Sequence, residues 1–356
     1  MKFSILINLD RFGPNEDMST VLRQRLELVQ IADRGGFDIA WTAEHHTLEV
    51  TIAPNPLLLL AYWGQHTERI RLGTAVLSAP YWHPIRLAGE IAMTDLLLEG
   101  RLELGFGRGS YQYEFDRMAG GMNQGEGGKY LRELIPVLKE LWKGDYAHNG
   151  ELWSFPAATS VPKPLQSPHP RMWVAARDPH TFDFAVKNHC HIMSTPLQRP
   201  YGEVVTLCER LDESARNNPH MPRPEHMMLR RACVYENPDD WEIPVRATVN
   251  FGRYFENVFR NIGTVRNGFP EPVDYRVIEN KNDYASDALH RNMIFGTPDR
   301  VVEKLEAYEK AGVDHYLYGA CFGMPHEFTV KSLRLFCDEV IPHFKIKQMN
   351  CRKRAT

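Results

Sequence analysis

The chain has 356 residues, 43% of them hydrophobic and 24% charged, and 42 basic against 45 acidic residues leave a net charge of −3. That balance gives no broad field for nucleic acid or an anionic membrane, and no apolar run reaches bilayer-spanning length. Six cysteines without a CxxC spacing read as reduced thiols of a cytoplasmic protein, not as a zinc site.

Lys2 to Asn8 reads as a short apolar strand with no secretory leader before it. Ser19 or Thr20 can cap a helix that carries Leu22, Leu26, Val29 and Ile31 to a stop at Gly35-Gly36. Strand two is Phe37 to His46, an apolar run that ends in Glu44, His45 and His46. A helix over 54–66, strand three over Ile70–Val76, a helix over Pro84–Leu98 and strand four over Arg101–Phe106 follow. Leu131, Leu134, Ile135, Leu138 and Leu141 recur at helical spacing within Tyr130–Trp142. Tyr146 to Phe155 reads as a hairpin around Asn149-Gly150.

Strand five is Met172–Ala176, strand six His191–Ser194 and strand seven Met227–Tyr235, with helices over Pro179–Asn188, Tyr201–Arg216 and Trp241–Ile262. Gly263–Asn292 lacks periodicity and reads as a long mobile loop. A helix over Pro298–Ala311, strand eight over Val313–Gly319 and a helix over Pro325–Phe344 complete the pattern. Residues 345–356 read as a basic, disordered tail. Eight strands, nearly all followed by a helix, predict an α/β fold: a (β/α)8 TIM barrel with insertions, one domain over residues 1–344. A doubly wound sheet is the alternative.

Chemistry in a parallel barrel sits beyond the carboxyl ends of the strands. Strand two ends there in a carboxylate and two imidazoles. Strand alternation predicts that His45 and His46 point opposite ways, so one serves a site and the other the structure. Strand three ends in small residues, Gly73 to Ser78, where something flat can approach the backbone; ordinary barrel packing explains them equally. Strand four ends Gly105-Phe106-Gly107-Arg108-Gly109, which leaves a guanidinium uncrowded for a phosphate or carboxylate, or merely a surface arginine on a glycine loop. No helix is expected promptly after it, so the dinucleotide fingerprint is not met. Strand five ends Arg177-Asp178-Pro179-His180-Thr181, either a capped helix start or a phosphate cradle.

Together these stretches resemble the bacterial luciferase-like flavin monooxygenases. The likeness runs through Gly36-Phe37-Asp38 to Trp41, Glu44-His45-His46, Leu72-Gly73-Thr74-Ala75, Glu99-Gly100-Arg101, Gly107-Arg108-Gly109 and Gly296-Thr297-Pro298. It implies the same (β/α)8 barrel with FMN, used as FMNH2, at the mouth. His45 falls on the family's catalytic histidine, Arg108 on its phosphate-binding arginine and Glu114 on an acidic residue of the same loop. Ala75-Val76 falls on a non-proline cis peptide beneath the flavin. Arg177, Asp178 and Thr181 fall on a phosphate-binding segment that is small and serine-containing in relatives, a departure here. Oxygenation of a small organic substrate by O2, through a flavin C4a-hydroperoxide, is implied. So is a separate NAD(P)H:flavin reductase, because no stretch provides a second nucleotide-binding domain. A homodimer is expected through Leu57–Leu60, Trp63, Ile91 and Leu96–Leu98. The competing readings are a deazaflavin-dependent reductase or dehydrogenase on the same barrel, a non-catalytic flavin-binding subunit, and a metal-dependent hydrolase. The last lacks a ligand set at the strand ends.

Overall fold

The computed structural model describes residues 1–279 and 281–347. Eight parallel strands close into a barrel: β1 (Lys2–Leu6), β2 (Ile39–Thr42), β3 (Arg71–Ser78), β4 (Leu102–Gly107), β5 (Arg171–Ala175), β6 (His191–Ser194), β7 (His226–Val234) and β8 (His315–Gly319). Each pairs with its neighbour in chain order, and β8 closes on β1. The expected (β/α)8 barrel is the fold.

Alternation along each strand divides the apolar residues into two shells. Ile39 and Trp41 of β2, Trp173 of β5, Met227 of β7 and Leu317 of β8 fill the barrel axis. Ala40, Met172, Met228 and Tyr316 point outward into the larger core under the helices. The axis therefore holds packed side chains and no pore. Trp41 and Trp173 meet edge to face at 5.7 Å. Below them the buried Glu103 accepts the Trp173 indole N–H at 2.7 Å and pairs with Arg171 at 2.7 Å.

Several expectations need correction. Asp17, not Ser19 or Thr20, caps the first helix, accepting the Thr20 amide at 2.8 Å. A two-turn helix does begin soon after the glycine–arginine loop, over Gln112–Met118. It is too short for a periodicity signal. Residues 263–292 are not a plain loop: they carry a small hairpin, Val265–Arg266 with Phe269–Pro270, and a helix over Ser286–Asn292. Their order comes from the helix Glu242–Arg260, where the Asn257 amide donates to the Thr264 and Glu271 carbonyls and Glu256 pairs with Lys281. A short strand, Ile294–Gly296, pairs with the upper end of β7, which outruns β8 and would otherwise present a bare edge. Residues 345–347 continue the last helix, and Lys347 pairs with Glu309 at 2.8 Å. The rest of the expected tail, 348–356, lies outside the described residues.

Two buried histidines lie at the other end of the barrel. His226 is fully buried, bonds Ser194 through Nε2 at 2.9 Å, and is pushed down to about 4, mainly by burial. Burial likewise holds His315 well below the ordinary histidine value. A folded-state pKa below the unfolded one means that stability is complete above about pH 6.5 and is lost as pH falls toward the folded value. Urea unfolding should therefore show the protein losing about 3 kcal/mol through His226 alone between pH 7 and pH 4. His226→Gln should flatten that slope; an unchanged slope would remove His226 as its cause.

Candidate active site

Beyond β2 the chain leaves regular pairing, yet it stays bound to its neighbours. The Glu44 amide donates to the Val76 carbonyl at 3.3 Å, and the His45 amide to Ala53 at 3.3 Å. The Glu44 side chain turns inward and is 2% exposed. Its carboxylate accepts the Ser78 amide at 2.6 Å, the Trp82 indole at 3.0 Å and His46 Nε2 at 2.8 Å. Glu114, 1% exposed, comes from the short helix after β4. It accepts the His46 amide at 2.6 Å and lies 3.0 Å from His45 Nδ1.

The two histidines thus diverge to two carboxylates. Divergence was expected from strand alternation, but the strand ends three residues earlier, and the carboxylates are the cause. Burial opposes charging of His46, yet Glu44 and then Glu114 outweigh it and hold its pKa above the ordinary value. His45 stacks on Tyr111 at 4.6 Å. With Nδ1 engaged by Glu114, Nε2 is the nitrogen left to give or take a proton. The ring lines a cleft of about 520 Å³ shared with Arg11, Glu49, Tyr113 and the tip of the 263–292 hairpin at Asn267-Gly268. Burial first, then Glu114, pushes the Tyr111 and Tyr81 phenols up, so both stay neutral.

The Ala75–Val76 peptide is cis. It coincides with a slip in the β3–β4 register between Thr74 and Leu77. Gly105 and Gly107 of β4 make room for it: a Cβ at Gly105 would lie 2.1 Å from the Thr74 carbonyl, and one at Gly107 2.4 Å from Val76 Cγ2. Ala75 and Val76 are only partly buried and cap the axial cluster. They form a floor of small side chains at the barrel mouth.

Arg108 follows β4 and is exposed; among the described residues nothing pairs with its guanidinium. Beyond the end of the adjacent β5 lies Arg177, which pairs with Glu203 at 2.8 Å. Asp178 accepts the Thr181 amide at 3.0 Å and its hydroxyl at 2.6 Å. Burial works against ionisation of Asp178, but those Thr181 bonds outweigh it and hold the carboxyl below its ordinary range. The helix start is therefore already served by an anion of the chain's own. His45 and Glu114 meet directly; Ala75-Val76, Arg108 and Arg177–Thr181 occupy successive strand ends at the same mouth.

Two charged groups at the mouth, Asp10 buried and Arg231 half-buried, escaped the sequence reading. Asp10, 1% exposed, follows β1 and accepts the Thr51 amide at 2.7 Å. Arg231 lies in β7, between Phe251 at 4.7 Å and Phe322 at 5.6 Å. The signal was available: Arg230-Arg231 interrupts an otherwise apolar strand. Among the described residues no group of three or more His, Cys, Asp or Glu is placed to hold a metal ion, and no helix is long and apolar enough to cross a membrane.

The family model for luciferase-like monooxygenases matches residues 1–315. The oxygenase component of the flavin-dependent trigonelline monooxygenase of Acinetobacter baylyi is 40% identical over 100% of this chain and 99% of its own. Limonene 1,2-monooxygenase of Rhodococcus erythropolis is 28% identical over 93% of this chain and 83% of its own. The crystal structure of the monooxygenase RslO1 from Streptomyces bottropensis superposes with a TM-score of 0.79 at 26% identity, covering 97% of this chain and 100% of that one. The chain belongs to the luciferase-like monooxygenase family and is a flavin-dependent monooxygenase by class.

Removing Glu44 leaves an amide, an indole N–H and the His46 imidazole without their buried acceptor. Glu44→Ala should cost about 3–5 kcal/mol in urea unfolding. His46→Ala, which removes one donor and leaves the others, should cost about 1–3 kcal/mol. Equal losses would mean that Glu44 is not the hub of the cluster.

Proposed function

We propose that this protein is the cytoplasmic oxygenase component of a two-component, FMNH2-dependent monooxygenase acting on a small organic substrate, with reduced flavin supplied by a separate NAD(P)H:flavin reductase. The observation that carries the reading is His45, fixed by Glu114 beside a floor of small residues, with an unpaired arginine at a nearby strand end. These residues fit a flavin. Ala75-Val76 can underlie a flat ring, and Arg108 offers a free planar fork to a phosphate. Arg177 is already committed to Glu203 and Asp178 already fills the helix start, so their part is to shape that rim. Bound reduced FMN would supply the two electrons with which O2 gives one oxygen atom to the substrate and the other to water. Glu114 fixes the tautomer of His45, whose Nε2 can then move a proton at the reacting centre. The 263–292 insertion, whose tip lines the same cleft, can shield that centre from water. A relative named for trigonelline makes that compound the first substrate to test.

Arg108→Ala should weaken FMN binding by about 2–4 kcal/mol, and riboflavin binding should barely change. Equal losses for both ligands would remove the phosphate assignment. The same titration run with a deazaflavin separates the oxygenase from a hydride-transfer enzyme on this barrel. His45→Ala should keep flavin binding and lose product formation by about 10²–10⁴-fold, with more of the consumed O2 released as hydrogen peroxide. Intact turnover and coupling in that variant would refute the assignment.

The helices Pro56–Gly64 and Pro84–Leu97 support a homodimer. Leu57, Leu60, Trp63, Ile91 and Leu98 are buried against the barrel. Leu58 (71% exposed), Tyr62, Met93, Leu96 and Leu97 remain as an outward apolar face. Light scattering at micromolar concentration should give twice the 41.0 kDa chain mass, and Leu58→Glu with Met93→Glu should give one chain. A single-chain mass for the unaltered protein contradicts the dimer.

A further inference from the structure

Arg231 has no protein partner that explains it. Along β7, Met227 and Leu229 face the barrel axis, while Met228 and Ala232 face the outer core. The same parity turns Arg231 inward, at the end of the strand that opens on the mouth. No described residue accepts a hydrogen bond from its guanidinium or forms an ion pair with it, and Nη1 is shielded from solvent. Its neighbour Arg230, facing outward, donates through Nη1 to the Arg199 carbonyl at 2.8 Å, although its Nε and Nη2 are also buried without a partner. Arg231 has only the faces of Phe251 and Phe322. A cation on two rings is stabilised by their quadrupoles, but its N–H groups keep their demand for an acceptor.

Nor does a carboxylate among the described residues bond Arg231. Burial opposes its charge, the fields of Tyr284 and then Asp10 reach it, and the Asp10 carboxyl also feels Arg25. It forms a hydrogen bond with neither, and its Oδ2 has no partner. Arg25 is spent on the Asn8 carbonyl at 2.9 Å. Neither guanidinium within reach of that carboxyl's field is bonded to it. This place adjoins the reacting centre: Asp10 also feels His45, and Tyr111, stacked on His45, feels Arg231. It lies across the barrel from Arg108, since three strand pairings separate β4 from β7.

We infer that Arg231 binds the carboxylate of the substrate, so that the substrate is a small organic acid held between Arg231 and the His45–Tyr111 stack. The inference rests on the reading of the barrel mouth as the oxygenation site. A planar fork suits a carboxylate bidentately. One anchored end fixes which atom of the substrate lies nearest His45.

The test is calorimetric titration of the unaltered protein, Arg231→Gln and Arg231→Lys, with and without oxidised FMN. The probes are trigonelline, nicotinate and benzoate, set against the neutral nicotinamide and benzamide. The unaltered protein should bind at least one acid more than tenfold tighter than the amides. Arg231→Gln should lose about 10- to 100-fold for that acid and nothing for the amides. FMN affinity should be the same in all three proteins. The melting temperature of Arg231→Gln should hold, because no ion pair within the chain is broken. Should that variant fail to fold, Arg231→Lys decides: it keeps the charge without the fork and should weaken the acid about tenfold. No preference for acids in the unaltered protein, a preference that survives Arg231→Gln, an undiminished one in Arg231→Lys, or a parallel loss of FMN binding would each overturn the inference. Neither oxygen nor turnover enters the titration, so failure of the monooxygenase reading would show separately, as absent FMNH2-dependent product.

Discussion

The barrel mouth depends on two buried carboxylates, Glu44 and Glu114. Neither could be removed from water without a full set of donors. Glu44 finds them on three elements: the end of β3, the turn that carries Trp82, and its own neighbour His46. Glu114 ties the helix after β4 back to the end of β2. The irregular segment after β2 is thereby fixed from both sides, although it has left the sheet. An unanchored loop would let the His45 ring swing. Here its Nδ1 and its stacking face are both occupied.

The same region imposes a second constraint, on β3 and β4. The cis peptide and the register slip bring Val76 over Gly107 and the Thr74 carbonyl over Gly105. Any side chain at those two glycines would drive the strands apart. The requirement for a flat floor and the glycine spacing around Arg108 are thus one fact seen from two strands. Uncrowding of Arg108 follows from it, because the glycines serve the floor as much as the arginine.

The barrel was legible because its strands are short apolar runs separated by strongly periodic helices, and this is the pattern that sequence carries best. His45, Arg108 and Ala75-Val76 were legible as strand ends with unsuitable or undersized residues. What escaped was fixed by tertiary contact. The helix Gln112–Met118 is two turns long and has no apolar stripe to announce it. The 263–292 insertion draws its order from Asn257 and Glu256 on another helix, so its own sequence reads as a loop. The cap at Asp178 was read correctly as a helix start, but its electrostatic consequence needed the Thr181 bonds. Arg231 was passed over because a charge inside a strand has no meaning until the strand's parity and its lack of partners are known.

Charge placement around the mouth follows a consistent rule. Where a cation serves the fold, it has a chain partner: Arg11 has Glu49 and Arg177 has Glu203. Arg108 and Arg231 break the rule, one exposed and one half-buried against two rings. An exposed arginine is satisfied by water and costs nothing. Arg231 keeps one nitrogen away from water without an acceptor. The two face the mouth from opposite sides, with His45 and the floor of small residues between them. Of the two, Arg108 is met by solvent when nothing is bound, while the shielded nitrogen of Arg231 is not.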